Sequence, residues 1–213
     1  MSAPTPLTAE EFAALTDVSR ETLARLEAYA ELLARWQRRI NLVGPSTLAD
    51  VWRRHMLDSA QLAPLVPEGA RILADIGAGA GFPGLVLAIL LEHRLADAAL
   101  IEADARKAAF LDQAILATGA RARVVRARAE SRPIAPADVV VARACAPLAR
   151  LLDCAAPLLA KGGVALLLKG RGVDRELTEA GNHWSMTVTR HTSRTDPRGT
   201  ILEVRNLQRV DRR

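Results

Sequence analysis

From Ser19 the apolar residues Leu23, Leu26, Ala30, Leu33, Trp36 and Ile40 return every third or fourth position, which predicts one long amphipathic helix. Ahead of it, Thr8 and Glu11 have the spacing of a capping box, in which each side chain closes the other's backbone amide at a helix N-terminus. Residues 41–45 interrupt the stripe. A further helix is expected from Thr47, carrying Leu48, Val51, Trp52, Leu57 and Leu62 and stopping before Pro64. No strand-type alternation occurs in this part.

The pattern changes at Ala70. Short apolar runs at 72–76, 99–102, 124–129, 138–141 and 164–168 read as strands, and residues 83–91, 105–118 and 147–160 between them read as helices. Continuous apolar strands separated by helices indicate a parallel sheet covered on both faces. The end differs again: residues 184–193 and 200–207 flank Thr195-Asp196-Pro197-Arg198-Gly199, a turn that suits an antiparallel hairpin. The expected organisation is a helical extension, residues 1–68, packed on a core of residues 69–213 that forms one compact unit.

The stretch after the first strand has two readings. Gly79-Ala80-Gly81-Phe82-Pro83-Gly84 spells GxGxxG, the dinucleotide fingerprint. Begun earlier, Asp75-Ile76-Gly77-Ala78-Gly79-Ala80-Gly81 spells DxGxGxG, a loop that holds S-adenosyl-L-methionine. Both ligands need a glycine turn, a helix N-terminus and an acid after the second strand, so Glu102 serves either. Asp75 tilts the balance, since its carboxylate would attract an ammonium group and repel a pyrophosphate. Pro83, lacking an N–H, suits a helix start better than a phosphate cradle. The third feature is downstream, where Ala137 to Arg143, a helix and Lys161-Gly162-Gly163 match the fourth and fifth strands of methyltransferases. The expected fold is therefore α/β, of the Rossmann-like class I S-adenosylmethionine-dependent methyltransferase type. Its mostly parallel seven-stranded sheet would end in the antiparallel hairpin.

Charge and composition narrow the partner only partly. A net charge of +5 fits a polyanion, but Lys107, Lys161 and Lys169 are the only lysines among 29 basic residues. Arginine at that share, in an alanine-rich chain, fits a GC-rich genome equally well. Cys145 and Cys154 are two lone thiols, as in a reducing cytosol. The opening MSAPTPLTAEEF has neither a basic start nor an apolar run, so no signal peptide is expected and the protein is placed in the cytoplasm, away from membranes.

Six segments occur in order: NLV (41–43), RHMLDS (54–59), DIGAGAGFPGL (75–85), RARAES (126–131), ARACAPL (142–148) and LLLKG (166–170). From about residue 20 onward the chain closely resembles the ribosomal RNA small subunit methyltransferase G family, also called glucose-inhibited division protein B. The resemblance implies methyl transfer from S-adenosyl-L-methionine, released as S-adenosyl-L-homocysteine, to N7 of guanine 527 of bacterial 16S rRNA. The substrate would be the small ribosomal subunit or its precursor, and the enzyme a monomer. It also implies cofactor contacts at Gly77, Phe82, Ala129 with Glu130, and Arg143, beside Asp75, Gly79, Gly81 and Glu102 of the loop reading. Cys145 replaces an aromatic found in many members, and Gly79-Ala80-Gly81 replaces Gly-Pro-Gly.

Guanine N7 carries a free lone pair, so no general base is expected, and Arg143 and Lys169 are assigned to phosphate, cofactor carboxylate or O6. His55 and Asp58 share a helix face and Arg54 reaches Asp58 at i+4, either as a tie between extension and sheet or with Arg54 and His55 on an RNA-facing rim. Arg121, Arg123, Arg126 and Arg128 are expected on one face of a strand, solvated or RNA-facing. Phe82 is the aromatic placed to meet a base or the adenosine, while Trp36 and Trp52 read as core. Arg209, Arg212 and Arg213 read as a frayed basic end. Two other readings stay open: a methyltransferase acting on another RNA, a protein or a small molecule, and a nucleotide- or RNA-binding protein without transferase activity.

Overall fold

Thr8 closes the first helix as its spacing requires: its hydroxyl accepts from the Glu11 amide at 3.2 Å and its amide donates to the Glu11 carboxylate at 2.9 Å. The computed structural model describes residues 5–143 and 146–210. Its helices α1 (Ala9–Thr16) and α2 (Arg20–Gln37) bury Phe12, Leu26, Tyr29, Leu32 and Leu33. The stripe predicted to run to Ile40 stops at Gln37. There the glutamine side chain turns back to accept from the amides of Leu42 and Val43 and to donate to the Val43 carbonyl, replacing the next helical turn.

The single helix expected from Thr47 is instead three pieces: α3 (Pro45–Leu48), a π-helix (Trp52–Leu57) and α4 (Asp58–Ala60), followed by a 3₁₀ turn at Ala63–Leu65. In the π-segment the Asp58 amide donates to the Arg53 carbonyl, five residues back. The wider turn rotates Asp58 relative to Arg54, so the predicted i+4 pair does not form.

Seven strands follow: β1 (Ile72–Ile76), β2 (Asp97–Ile101), β3 (Arg123–Val125), β4 (Ala137–Arg143), β5 (Leu159–Lys169), β6 (Trp184–Thr192) and β7 (Thr200–Arg209). They form one sheet in the order β3-β2-β1-β4-β5-β7-β6, in which β7 is antiparallel to both neighbours. The expected mostly parallel sheet with a terminal antiparallel hairpin is present. Between the strands lie α5 (Gly84–Leu90), α6 (Ala105–Thr118), α7 (Leu148–Ala155) and α8 (Val173–Gly181). Residues alternate between the two faces: Val139, Val141, Leu166 and Leu168 join the core beneath α5, α6 and the N-terminal helices, whereas Val140, Ala142, Ala165 and Leu167 join the core beneath α7 and α8.

Several boundaries differ from expectation, among them the ends of β3 and α7. β3 ends at Val125, because its partner β2 ends at Ile101, and Ala129–Ser131 is a 3₁₀ turn. Arg126 and Arg128 therefore lie beyond the strand, and Arg123 pairs with Asp97 at 3.0 Å, so the four-arginine face does not exist. The helix predicted over 147–160 ends at Ala155, where Pro157 forces a 3₁₀ turn before β5. Arg209 is not frayed: it pairs with Asp153 at 2.6 Å and covers Trp184. Cys145, Arg212 and Arg213 lie outside the described residues.

Candidate functional site

The sheet order reverses between β1 and β4, and ligands of open α/β sheets bind at the carboxyl ends of the strands at such a point. The DxGxGxG loop lies there. Gly77, Gly79 and Gly81 all take positive φ. At Gly81 nothing larger fits: a Cβ would stand 2.6 Å from the Tyr29 hydroxyl and 3.1 Å from Leu85. Gly84 lets α5 approach β1, since a Cβ there would meet that of Asp75 at 2.6 Å.

Two cavities open on either side of this loop, and Gly77 lines both. The smaller, about 220 Å³, is walled by Glu102, Ala129, Glu130, Leu151 and Cys154 among others. The larger, about 570 Å³, lies between the loop, the π-helix and the β6–β7 turn. Glu102 is 9% exposed; its two oxygens accept from the amides of Gly79 at 2.9 Å and Asp104 at 2.7 Å. Each oxygen keeps a lone pair that a ligand hydroxyl can use. The Glu130 carboxylate turns outward to Arg150, so Glu130 and Ala129 offer the cavity mainly a backbone wall.

Asp75 is elsewhere. It is fully buried and accepts from the Gly84 amide at 2.8 Å, fixing the start of α5, and it lines neither cavity. The expected contact with an ammonium group is not what its position serves. Burial pushes its carboxyl up to about 7, against the opposing Gly84 hydrogen bond, and Oδ1 has no hydrogen-bond partner among the described residues.

Phe82 is also packed rather than free to stack on a base. Its ring lies against Tyr29 on one hand, with centroids 5.2 Å apart, and against His55 at 4.9 Å, while the Arg143 guanidinium stands 4.9 Å from its centroid. His55 lines the larger cavity but is only 6% exposed, so it forms part of the wall rather than an exposed rim. Thr47 gives its hydroxyl proton to the Gly44 carbonyl, so the 2.8 Å contact makes His55 Nε2 the donor to Thr47 Oγ1. Burial first, then Arg143 and Arg54, holds the imidazole down at about 3. It is a neutral spacer.

Arg143, at the end of β4, donates to the Arg54 carbonyl at 3.2 Å and to Asp58 at 3.4 Å. Asp58 also accepts from Thr195 and Gln61, so one carboxylate joins the extension, β4 and the β6–β7 turn. Arg54 keeps its place on the rim: it lines the larger cavity, is 42% exposed and stands 3.8 Å from Asp196. Lys169 borders the same cavity, but its ammonium is buried and committed to Glu176 at 2.6 Å and the Ala146 carbonyl at 3.0 Å. A phosphate grip by Lys169 is not the arrangement seen.

Several residues had no sequence signal. Tyr29 donates its hydroxyl to the Ala80 carbonyl behind the glycine loop, yet it sits in an ordinary apolar stripe. Thr47, Thr195 and Asp196 are unremarkable turn and cap residues until the hairpin folds over the π-helix. Lys107 lies on α6 and reaches the larger cavity.

Known proteins agree with this architecture. Residues 22–200 match the family described as rRNA small subunit methyltransferase G. A ribosomal RNA small subunit methyltransferase G of Rhodospirillum rubrum is 55% identical over 96% of this chain and 100% of its own. One from Paramagnetospirillum magneticum is 52% identical over 94% and 96%. Among solved structures, an N-methyltransferase from Bradyrhizobium japonicum has a TM-score of 0.53 at 14% identity, covering 70% of this chain and 93% of its own, a likeness of fold alone. By sequence over nearly its whole length, the chain belongs to the rRNA small subunit methyltransferase G family.

Proposed function

We propose that the protein transfers a methyl group from S-adenosyl-L-methionine to N7 of guanine 527 in bacterial 16S rRNA, within the small subunit or its precursor. The observation that carries this reading is the pair of cavities meeting at Gly77, in a chain of this family. The cofactor supplies an electrophilic methyl on a sulfonium. Glu102 stands where its free lone pairs can accept from a ribose diol, and Ala129 and Glu130 wall an adenine-sized space. Gly77, Gly79 and Gly81 bring the backbone close, and Phe82 shapes the loop from behind.

The larger cavity then receives the base. Guanine N7 needs no proton removed, so the chain's task is to align it with the methyl and keep water out. His55 fits this, being neutral, buried and already bonded. Arg143 is held by Asp58 and Phe82, so its charge faces the site from a fixed place without reaching for the nucleophile, as a bidentate arginine contact to N7 and O6 would. Arg54 is the exposed cation on the rim that can meet RNA phosphate.

The test incubates the protein with methyl-labelled cofactor and small subunits from a strain lacking this modification. Label on N7 of that guanine is expected. Label on another atom, on protein or nowhere overturns the reading.

A further inference from the structure

Many arginines of this chain are held in ion pairs. Arg25 pairs with Glu92, Arg53 with Asp50, Arg123 with Asp97, Arg150 with Glu130, Arg190 with Asp174 and Arg209 with Asp153. The end of α2 gathers three that are not, around a single groove. Arg35, Arg38 and Arg39 are exposed, line one groove of about 370 Å³ with Trp36, and their side chains have no ion pair or hydrogen bond among the described residues. Like charges one helical turn apart repel, and the negative end of the helix offsets that only in part. Such a knuckle is better satisfied by an external anion.

Its position says which anion. Gln37, between these arginines, holds the amides of Leu42 and Val43 and the Val43 carbonyl. Leu42, Val43 and Gly44 in turn form a wall of the larger cavity. From Arg39 to Leu42 is three residues, at most about 11 Å of chain. The knuckle is thus rigidly joined to the mouth of the proposed base pocket. Trp36 is half-buried, packed edge-on against Phe110, and gives the groove a firm floor.

We infer that Arg35, Arg38 and Arg39 form a docking surface for the sugar–phosphate backbone of the RNA substrate, beside the base that enters the cavity. The inference rests on the proposed function. On this view Arg54 meets the strand at one side of the cavity mouth and the α2 knuckle at the other, so positioning comes from phosphates while the cavity selects the base.

The test compares the wild type with the triple variant Arg35→Gln, Arg38→Gln, Arg39→Gln, measuring affinity for unmethylated small subunits from low to high salt. Three lost phosphate contacts flatten the slope of log affinity against log salt by about 2, which makes binding about 100-fold weaker near 0.1 M salt if the curves converge at 1 M. The triple Arg→Lys variant keeps the slope. Affinity for S-adenosyl-L-homocysteine stays unchanged in both, and the thermal midpoint falls in neither. An unchanged slope in the Gln variant, or no salt-dependent binding by the wild type, overturns the inference. A flattened slope in an enzyme that labels no 16S rRNA leaves the surface standing as an RNA contact and overturns the proposed function instead.

Discussion

The Asp58 carboxylate lies 3.4 Å from the Arg143 guanidinium, and through this pair the N-terminal extension holds the cation at the end of β4. Both side chains are more than four-fifths buried, so removing one leaves the other charged in a poorly solvated place. Asp58→Ala should lower stability by about 2–3 kcal/mol in urea unfolding. It should also weaken S-adenosyl-L-homocysteine binding in calorimetry, because Arg143 loses its orientation over Phe82. Full retention of both quantities would show that the pair is incidental.

Asp75 and His55 work against each other as pH changes. Asp75 has its pKa raised by burial to about 7, so the folded state holds a proton that the unfolded chain has released; its contribution is present below about 4 and lost as pH rises through 7. His55 is depressed by burial to about 3, so its contribution is present above about 6.5 and lost as pH falls. Relative to wild type, Asp75→Asn should therefore gain stability as pH rises from 4 to 7, by up to a few kcal/mol. His55→Phe should gain as pH falls from 6.5 to 4. Denaturant unfolding across that range reads both signs, and the same sign in both variants would refute the assignment.

The glycine loop is set from behind by Tyr29. Gly81→Ala combines a φ of +87° with a Cβ placed 2.6 Å from the Tyr29 hydroxyl, whereas at Gly79 the nearest atom is 3.7 Å away. Gly81→Ala should cost about 3 kcal/mol and Gly79→Ala about 1 kcal/mol. Equal losses in thermal unfolding would mean that the Tyr29 contact is not limiting.

Tyr29→Phe removes the hydroxyl bonded to the Ala80 carbonyl and leaves that acceptor buried. Stability should fall by about 1–2 kcal/mol. Affinity for S-adenosyl-L-homocysteine should fall several-fold while affinity for small subunits stays the same, which separates a loop-positioning role from an RNA contact. The reverse pattern would rule that role out.

Most of the sheet could be read from the chain, because its central strands β1, β2, β4 and the end of β5 are mainly apolar runs and the helices between them carry apolar stripes. The glycine loop and Glu102 were legible for a similar reason: their chemistry is local. What could not be read depends on register or on distant partners. A π-turn changes which side chains share a face without altering the apolar spacing, so Arg54 and Asp58 looked like neighbours. Asp75 looked like a ligand because its depth under α5 depends on Gly84, and Lys169 looked free because Glu176 arrives on another helix.

The hairpin has a kinetic consequence. Gln61 bonds to Ser193 and Arg194, and Asp58 to Thr195, across 132 to 137 residues of chain. During synthesis the strands β1 to β5 are made before this wall exists. Contacts of such high separation are paid for in loop-closure entropy and form late. A nascent chain therefore acquires its glycine turn early but completes the larger cavity only when its last two strands dock, so on the proposed function cofactor affinity should mature before RNA recognition as the protein is made.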